Sequence, residues 1–160
     1  MWNESEQKLY WVDILGQAIH TYHPESQAHN KFTFNDLICA MAFRKKGGLV
    51  VATRKHLNYW DGQSEQLDKF MEVEADHEST RFNDGAVDRQ GRFWIGTMDN
   101  NRQPVGCLYR LDADLSLHVM QPNVHISNGI GWSPDNTTMI YSDTTTESIF
   151  AYDFEAESGA

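Results

Sequence analysis

Short apolar and aromatic runs recur along the chain at a nearly constant spacing. Four such runs, each of the kind that forms a buried strand, occupy residues 9–12, 49–52, 93–96 and 139–142. Their first residues are 40, 44 and 46 positions apart, close to the repeat length of a β-propeller blade, roughly 40–50 residues. No segment of a dozen residues keeps a helical period, so we expect few helices.

Each run has similar neighbours along the chain. A polar turn joins three of the runs to an earlier apolar strand, and these hairpin turns are predicted at residues 44–48, 88–91 and 133–136. Another strand follows every run, and these third strands are predicted at residues 18–22, 57–60, 107–111 and 149–152. A fourth strand is predicted at residues 117–120. The repeating unit is therefore a small antiparallel sheet.

This repeat predicts an all-β fold, a single partial β-propeller domain over residues 1–160 with roughly three four-stranded blades. A β-sandwich also contains many short strands, but it gives no reason for the constant period. An open propeller leaves apolar blade faces in water. We therefore expect part of a larger propeller, and a homodimer or other self-association.

Three positions stand at equivalent places in the predicted inner strands. Counting back four residues from the apolar residue of each strand gives Cys39, Asn83 and Asn128. The inner strands of a propeller surround its axis, so these side chains are expected to converge on one pocket. Amide oxygens suit hard divalent ions, although Asn-Gly and Asp-Gly are also ordinary turn residues. Both asparagines are expected in turns, at residues 82–85 and 127–129.

Arg81 precedes Asn83 by two residues and is expected on the same side of an extended strand. A guanidinium group there could bind substrate oxygens in a bidentate manner. The alternative is a surface ion pair with Asp76 or Glu78. The acidic residues 72–78 are expected to form a solvated loop, and Asp143 is expected to serve as a turn or hydrogen-bonding residue.

The charge balance limits the possible partners. Thirteen basic and 23 acidic residues give a formal net charge of −10, which repels nucleic acids and anionic membranes. No apolar run of about 18 residues is present, and neither is a zinc-protease HExxH nor a serine-hydrolase GxSxG motif. The first residues lack a secretory signal pattern and the two cysteines form no CxxC pair, so a cytoplasmic location is expected.

Two specific motifs, Arg-Phe-Asn-Asp-Gly at residues 81–85 and Ser-Asn-Gly at 127–129, lie among less specific matching strand segments. Along nearly its whole length the chain resembles the N-terminal half of the gluconolactonase/regucalcin (senescence marker protein) family. The resemblance implies a six-bladed propeller with one divalent cation (Ca, Zn, Mg or Mn) that hydrolyses sugar lactones. It also implies that Asn128 binds the metal, that Asn83 faces metal and substrate, and that Arg81 contacts the lactone or sugar acid.

The resemblance is incomplete in its carboxylates. The family's metal-binding Glu in a Glu-Gly-Pro turn has no counterpart in these 160 residues, and neither has the Asp of a Pro-Asp-Gly turn that is both ligand and base. We therefore expect a weakly bound or absent cation, a truncated lactonase of low activity, and no assigned catalytic residue, with Asp84 as the nearest substitute base. The alternative is a non-catalytic half-propeller that self-associates as a binding module, and an interaction scaffold has less support.

Overall fold

The computed structural model describes residues 1–160, which form fifteen β-strands, one short 3₁₀ turn and no α-helix. The chain divides into two compact units, Met1–Val73 and Glu74–Ala160. Each unit holds two antiparallel sheets whose strands follow one another in chain order, as in the blades of a β-propeller. Three sheets have four strands and the last has three. The all-β prediction is confirmed, and the predicted count of roughly three blades misses one sheet.

The first unit contains two four-stranded sheets. The strands of the first sheet are β1 (Trp2–Asn3), β2 (Lys8–Asp13), β3 (Ala18–His23) and β4 (Ala28–Thr33). Those of the second sheet are β5 (Ala40–Phe43), β6 (Leu49–Ala52), β7 (His56–Trp60) and β8 (Asp68–Glu72).

The two sheets of the first unit share one apolar core. Trp60 lies at its centre, 2 % exposed, with its ring edge-on to Phe32 and Phe34. The other buried members of this core are Tyr10, Ile19, Ile38, Met41, Leu49 and Val51. Leu49 and Val51 occupy alternate positions of β6, so the period-2 pattern of the sequence places both on the inner face, whereas Ile38 comes from the segment before β5.

The second unit contains one four-stranded and one three-stranded sheet. The strands of the first are β9 (Thr80–Val87), β10 (Phe93–Asp99), β11 (Gly106–Leu111) and β12 (Leu117–Val124). Those of the second are β13 (Ser127–Trp132), β14 (Thr138–Asp143) and β15 (Ser148–Asp153). The buried residues of their shared core are Trp94, Leu108, Val124, Met139, Tyr141 and Phe154.

A buried carboxylate closes the hairpin between β9 and β10. Asp88 Oδ2 accepts hydrogen bonds from Arg92 Nε at 2.5 Å and from Trp94 Nε1 at 3.0 Å. The same guanidinium donates to the backbone carbonyls of Ala156 and Glu157. The hairpin and the C-terminal segment are thus fixed by a charge-assisted network.

The inner strands of this unit are both irregular. In β9, Asn83 and Asp84 together stand opposite the single residue Gly96 of β10. In β13, Gly129 and its successor stand opposite one residue of β14. Two residues facing one is the pattern of a β-bulge, a feature often found beside functional sites. The turns predicted at residues 82–85 and 127–129 are therefore wrong, because both segments lie within strands.

Candidate functional site

Asn83 connects the two sheets of the second unit. Its Nδ2 donates a hydrogen bond of 2.8 Å to the backbone carbonyl of Ser127 on β13. Its Oδ1 accepts a hydrogen bond of 2.9 Å from Arg81 Nη1. Both ends of the amide are thus occupied, and Asn83 lies beside the residue that precedes Asn128.

Asp84, the second residue of the β9 bulge, also points toward β13. Its Oδ2 accepts a hydrogen bond of 2.9 Å from the backbone N–H of Gly129, and its Oδ1 accepts one from Gly85. Asn128 Oδ1 lies 3.2 Å from the same Gly129 nitrogen. A carboxylate oxygen and an amide oxygen therefore converge on one N–H group.

Asn128 is exposed to solvent. Its Nδ2 donates to Thr144 Oγ1 at 3.3 Å, and its backbone carbonyl accepts a hydrogen bond from Ser142 Oγ at 2.8 Å. The following residue, Gly129, has a φ of 54°, a left-handed conformation that glycine adopts without steric cost. This backbone turns the Gly129 N–H toward Asp84.

Close packing sets the distance between β10 and β13. Ser127 is fully buried, and a Cβ added to Gly96 would overlap its Cβ and Oγ atoms. Glycine at position 96 therefore lets the two strands approach and places the Ser127 carbonyl within reach of Asn83. The sequence motifs mark Ser127 only as part of Ser-Asn-Gly, so its role as the acceptor for Asn83 was not predicted.

Arg81 is oriented within its own strand. Its Nη1 donates to the carbonyl of Phe82 at 2.8 Å as well as to Asn83. No ion pair joins it to Asp76 or Glu78, both of which are exposed. The alternative of a surface ion pair is therefore wrong for this arginine.

Cys39 lies in the first unit, directly before β5. It is buried, and its backbone N–H donates to the carbonyl of Ala52. At this position the sequence has a small apolar side chain in place of an amide. The three site residues predicted within the second unit, Arg81, Asn83 and Asn128, do lie near one another. Asn83 is bonded both to Arg81 and to the backbone of Ser127, the residue before Asn128.

The chain offers few ligands for a metal ion at this site. No group of three or more His, Cys, Asp and Glu side chains is arranged to hold one. Asp84 Oδ2 and Asn128 Oδ1 are oxygen donors of the kind that hard cations prefer. Asn83 Oδ1 faces the Arg81 guanidinium, whose charge opposes a cation there. Two oxygen donors fit a hard cation, and Asn83 in this orientation does not.

Asp143, at the end of β14, supports the segment that leads into β13. Its carboxylate accepts hydrogen bonds from the backbone N–H groups of His125, Ile126 and Thr145 and lies 3.1 Å from His125 Nδ1. Burial raises the pKa of Asp143, but these hydrogen bonds outweigh that effect and hold the pKa below its ordinary value. The expectation of a hydrogen-bonding role for Asp143 is confirmed.

Glu74 departs from the solvated loop expected for residues 72–78. Its Oε1 accepts hydrogen bonds from Thr97 Oγ1 at 2.7 Å and from Tyr109 Oη at 2.9 Å. Burial and the Glu74 carboxylate both raise the pKa of Tyr109. Burial likewise raises the pKa of the Cys107 thiol, so this cysteine is a poor nucleophile at neutral pH.

The site lies in a chain with known relatives. The family model described as "SMP-30/Gluconolactonase/LRE-like region" matches residues 1–160. YvrE of Bacillus subtilis, to which sugar lactone lactonase activity is ascribed, is 34% identical over 160 residues, covering 99% of this chain and 55% of its own. The 6-deoxy-6-sulfogluconolactonase of Pseudomonas putida is 33% identical over 158 residues, covering 98% of this chain and 54% of its own.

Solved structures resemble the fold as well. The crystal structure of a regucalcin from Agrobacterium tumefaciens, described as a calcium-binding protein, superposes with a TM-score of 0.91 and 25% sequence identity. The alignment covers 99% of this chain and 54% of that one. The chain thus spans about half the length of the curated relatives it matches. The structure contains no helical segment that could span a bilayer.

Proposed function

Because the chain belongs to the SMP-30/Gluconolactonase/LRE-like family, we propose that it forms part of a sugar-lactone hydrolase. Its substrate is a small sugar lactone and its product the corresponding sugar acid. One observation carries the proposal: Asn83, which is bonded to Arg81, and the next residue, Asp84, are joined by hydrogen bonds to Ser127 and Gly129 of the neighbouring sheet. In this proposal the four sheets are part of a larger, six-bladed propeller. A cytoplasmic location remains a separate prediction.

Arg81 is the proposed substrate-binding residue. Its Nη1 is fixed by two acceptors, the Phe82 carbonyl and Asn83 Oδ1, which limits the freedom of the guanidinium group. A guanidinium carries five N–H donors in a fixed plane, so others remain for the hydroxyl or carboxylate oxygens of a substrate. Asn83 acts in this proposal by positioning Arg81 beside the substrate.

Asp84 is the proposed general base. Its two oxygens accept backbone hydrogen bonds from Gly85 and Gly129, and a carboxylate has further lone pairs for a water molecule. Asp84 takes a proton from that water as the water oxygen attacks the lactone carbonyl carbon. The ring C–O bond then breaks, and the proton held by Asp84 passes to the ring oxygen, which gives the open hydroxy acid and restores the Asp84 carboxylate.

A divalent cation, such as Ca, Zn, Mg or Mn, is proposed at the same place. When bound, it would polarise the lactone carbonyl as a Lewis acid. The residues that would hold it are Asn128, through Oδ1, and Asp84, through Oδ2. Calcium usually takes about 6–8 oxygen ligands, so two protein donors predict weak binding and slow turnover by this chain.

The test measures hydrolysis of glucono-δ-lactone through the release of acid. It is run once with added calcium and once with EDTA to remove divalent cations. Asp84→Asn should lower kcat about 10²–10⁴-fold because the general base is lost. Arg81→Lys should raise KM, since lysine cannot bind oxygens in a bidentate manner. Asn101→Ala, in an exposed turn, is the matched control and should leave both constants unchanged.

Full activity in Asp84→Asn would exclude Asp84 as the base. No hydrolysis of a panel of sugar lactones by the unmodified chain, with any of the four cations, would overturn the enzymatic proposal. That result would favour the second candidate, a self-associating binding module.

The second candidate rests on the outer strand β15. The outer strands of the other sheets carry charged residues or proline, which discourage pairing with another chain, at positions such as Lys31, Lys69 and Pro122. In β15 the residues before Asp153 are Ser-Ile-Phe-Ala-Tyr, and Ile149 is 78% exposed. An unprotected edge of this kind favours antiparallel pairing with a second copy across a two-fold axis.

A further inference from the structure

Two histidines on the first sheet have facing ring nitrogens. His20 Nδ1 on β3 lies 2.9 Å from His29 Nε2 on β4. The two rings are only 9° from parallel and their centroids are 5.1 Å apart. Such a short nitrogen distance with nearly parallel rings means that the imidazoles meet edge to edge. One ring donates its N–H to the lone pair of the other.

An indole ring lies against both imidazoles. Trp11 on β2 is the cross-strand partner of His20. Its ring centroid lies 5.1 Å from that of His20 and 5.5 Å from that of His29, with interplanar angles of 9° and 8°. Trp11 therefore lies against both rings of the histidine pair and leaves their outer side open. His29 is exposed and His20 half-buried, so an ion in solution can reach the pair.

We propose that His20 and His29 form a binding site for one divalent transition-metal ion, with Cu²⁺ preferred. Imidazole nitrogens bind such ions at about 2.0–2.1 Å. Two nitrogens at this distance, at right angles around one ion, are about 2.9 Å apart, whereas tetrahedral ligands are about 3.4 Å apart. The observed 2.9 Å separation therefore fits neighbouring positions of a tetragonal Cu²⁺ or Ni²⁺ site.

Binding replaces a hydrogen bond by two metal–nitrogen bonds. The proton shared between the rings moves to the outer nitrogen of its own imidazole, leaving lone pairs on His20 Nδ1 and His29 Nε2. Each ring then turns about χ2, a soft torsion in histidine, so that both lone pairs point to the ion. Water molecules complete the coordination.

This site is separate in chemistry from the oxygen donors at Asn128. Imidazole suits copper, nickel and zinc, whereas amide and carboxylate oxygens suit calcium and magnesium. Affinity at the histidine pair should follow the order Cu²⁺ > Ni²⁺ > Co²⁺ and should be negligible for Ca²⁺. The proposal does not depend on the proposed lactonase activity.

The experiment is a calorimetric titration of the 160-residue chain with CuCl₂ in a non-coordinating buffer, with electron paramagnetic resonance of the complex. We expect one tight equivalent and a spectrum with hyperfine splitting from two nitrogens. His20→Gln and His29→Gln should each weaken binding at least about tenfold, or about 1.4 kcal/mol. His23→Gln, on the same strand as His20, is the matched control and should leave the affinity unchanged.

A second measurement needs no variant. In the NMR spectrum of the unmodified chain, a small amount of Cu²⁺ should broaden the imidazole signals of His20 and His29 before those of the other five histidines. Unchanged affinity in both single variants would overturn the proposal. So would first broadening at His23 or His118, or an equal loss of affinity in the His23→Gln control.

Discussion

The two asparagines at equivalent positions have different surroundings. Asn83 has both ends of its amide occupied, by Arg81 and by the Ser127 carbonyl. Asn128 is exposed and shares the Gly129 N–H with Asp84. The two asparagines occupy equivalent positions in the sequence repeat, but their amides make different contacts. The difference arises because the bulged residues of β9 and β13 are offset relative to the asparagines.

Asp143 provides a pH-dependent contribution to stability. Its pKa is depressed in the folded chain, so its carboxylate favours the folded state above its ordinary pKa of about 3.9. That contribution is lost as the pH falls through the lower, folded-state value. We expect Asp143→Asn to lower the free energy of unfolding at pH 7 by about 1–3 kcal/mol, because a charged acceptor of several N–H groups is removed.

The measurement is urea unfolding at several pH values between pH 7 and pH 2. The difference between the unmodified chain and Asp143→Asn should shrink toward the acid end. Asp76→Asn, in an exposed loop, is the control and should change stability little at any pH. A difference that stays constant down to pH 2 would show that the charge of Asp143 contributes nothing.

At the scale of strands and hairpins, the sequence was informative where burial repeats. The runs at residues 9–12, 49–52, 93–96 and 139–142 all lie within strands, because alternate side chains pack into cores. The bulges at Asn83 and Gly129 were not predictable, because Asn-Asp-Gly and Ser-Asn-Gly are also turn sequences. The position of the bulged residue depends on how the strand pairs with its partner, and a local sequence pattern does not contain that information.

Gly96 is the clearest case of such a dependence between strands. Gly96→Ala places a Cβ on the buried side chain of Ser127, so we expect it to lower the free energy of unfolding by about 1–3 kcal/mol through overpacking. Adding Ser127→Gly removes the overlapping atoms and should recover part of the loss. Urea unfolding of both single variants and the double variant measures the interaction between the two positions.

Gly131→Ala gives the matched comparison for Gly96. Gly131 lies on β13, and no atom lies within 4 Å of an added Cβ. Its substitution should leave stability unchanged or raise it slightly, since alanine has less freedom in the unfolded chain. Similar losses in Gly96→Ala and Gly131→Ala would mean that contact with Ser127 does not set the spacing of β10 and β13.

At the scale of the whole molecule, the charge and the apolar surface have opposing effects. A net charge of −10 opposes association of two copies. Exposed apolar side chains favour association, and one group of them lies along β15 and its neighbour β14, at Ile140, Ile149, Phe150 and Tyr152. The balance should therefore depend on salt, because ionic strength screens the repulsion and leaves apolar burial intact.

Pairing through β15 predicts a dimer that one lysine can break. Light scattering coupled to gel filtration should give twice the chain mass of 18.4 kDa for the unmodified protein, with more dimer as salt increases. Ile149→Lys should give the monomer, since a charged edge residue opposes strand pairing.

Val119→Lys is the matched control. Val119 is 57% exposed on β12, an edge already protected by Pro122, so that variant should remain dimeric. A monomeric unmodified chain at all salt concentrations, or equal dissociation of the two variants, would rule out β15 as the interface.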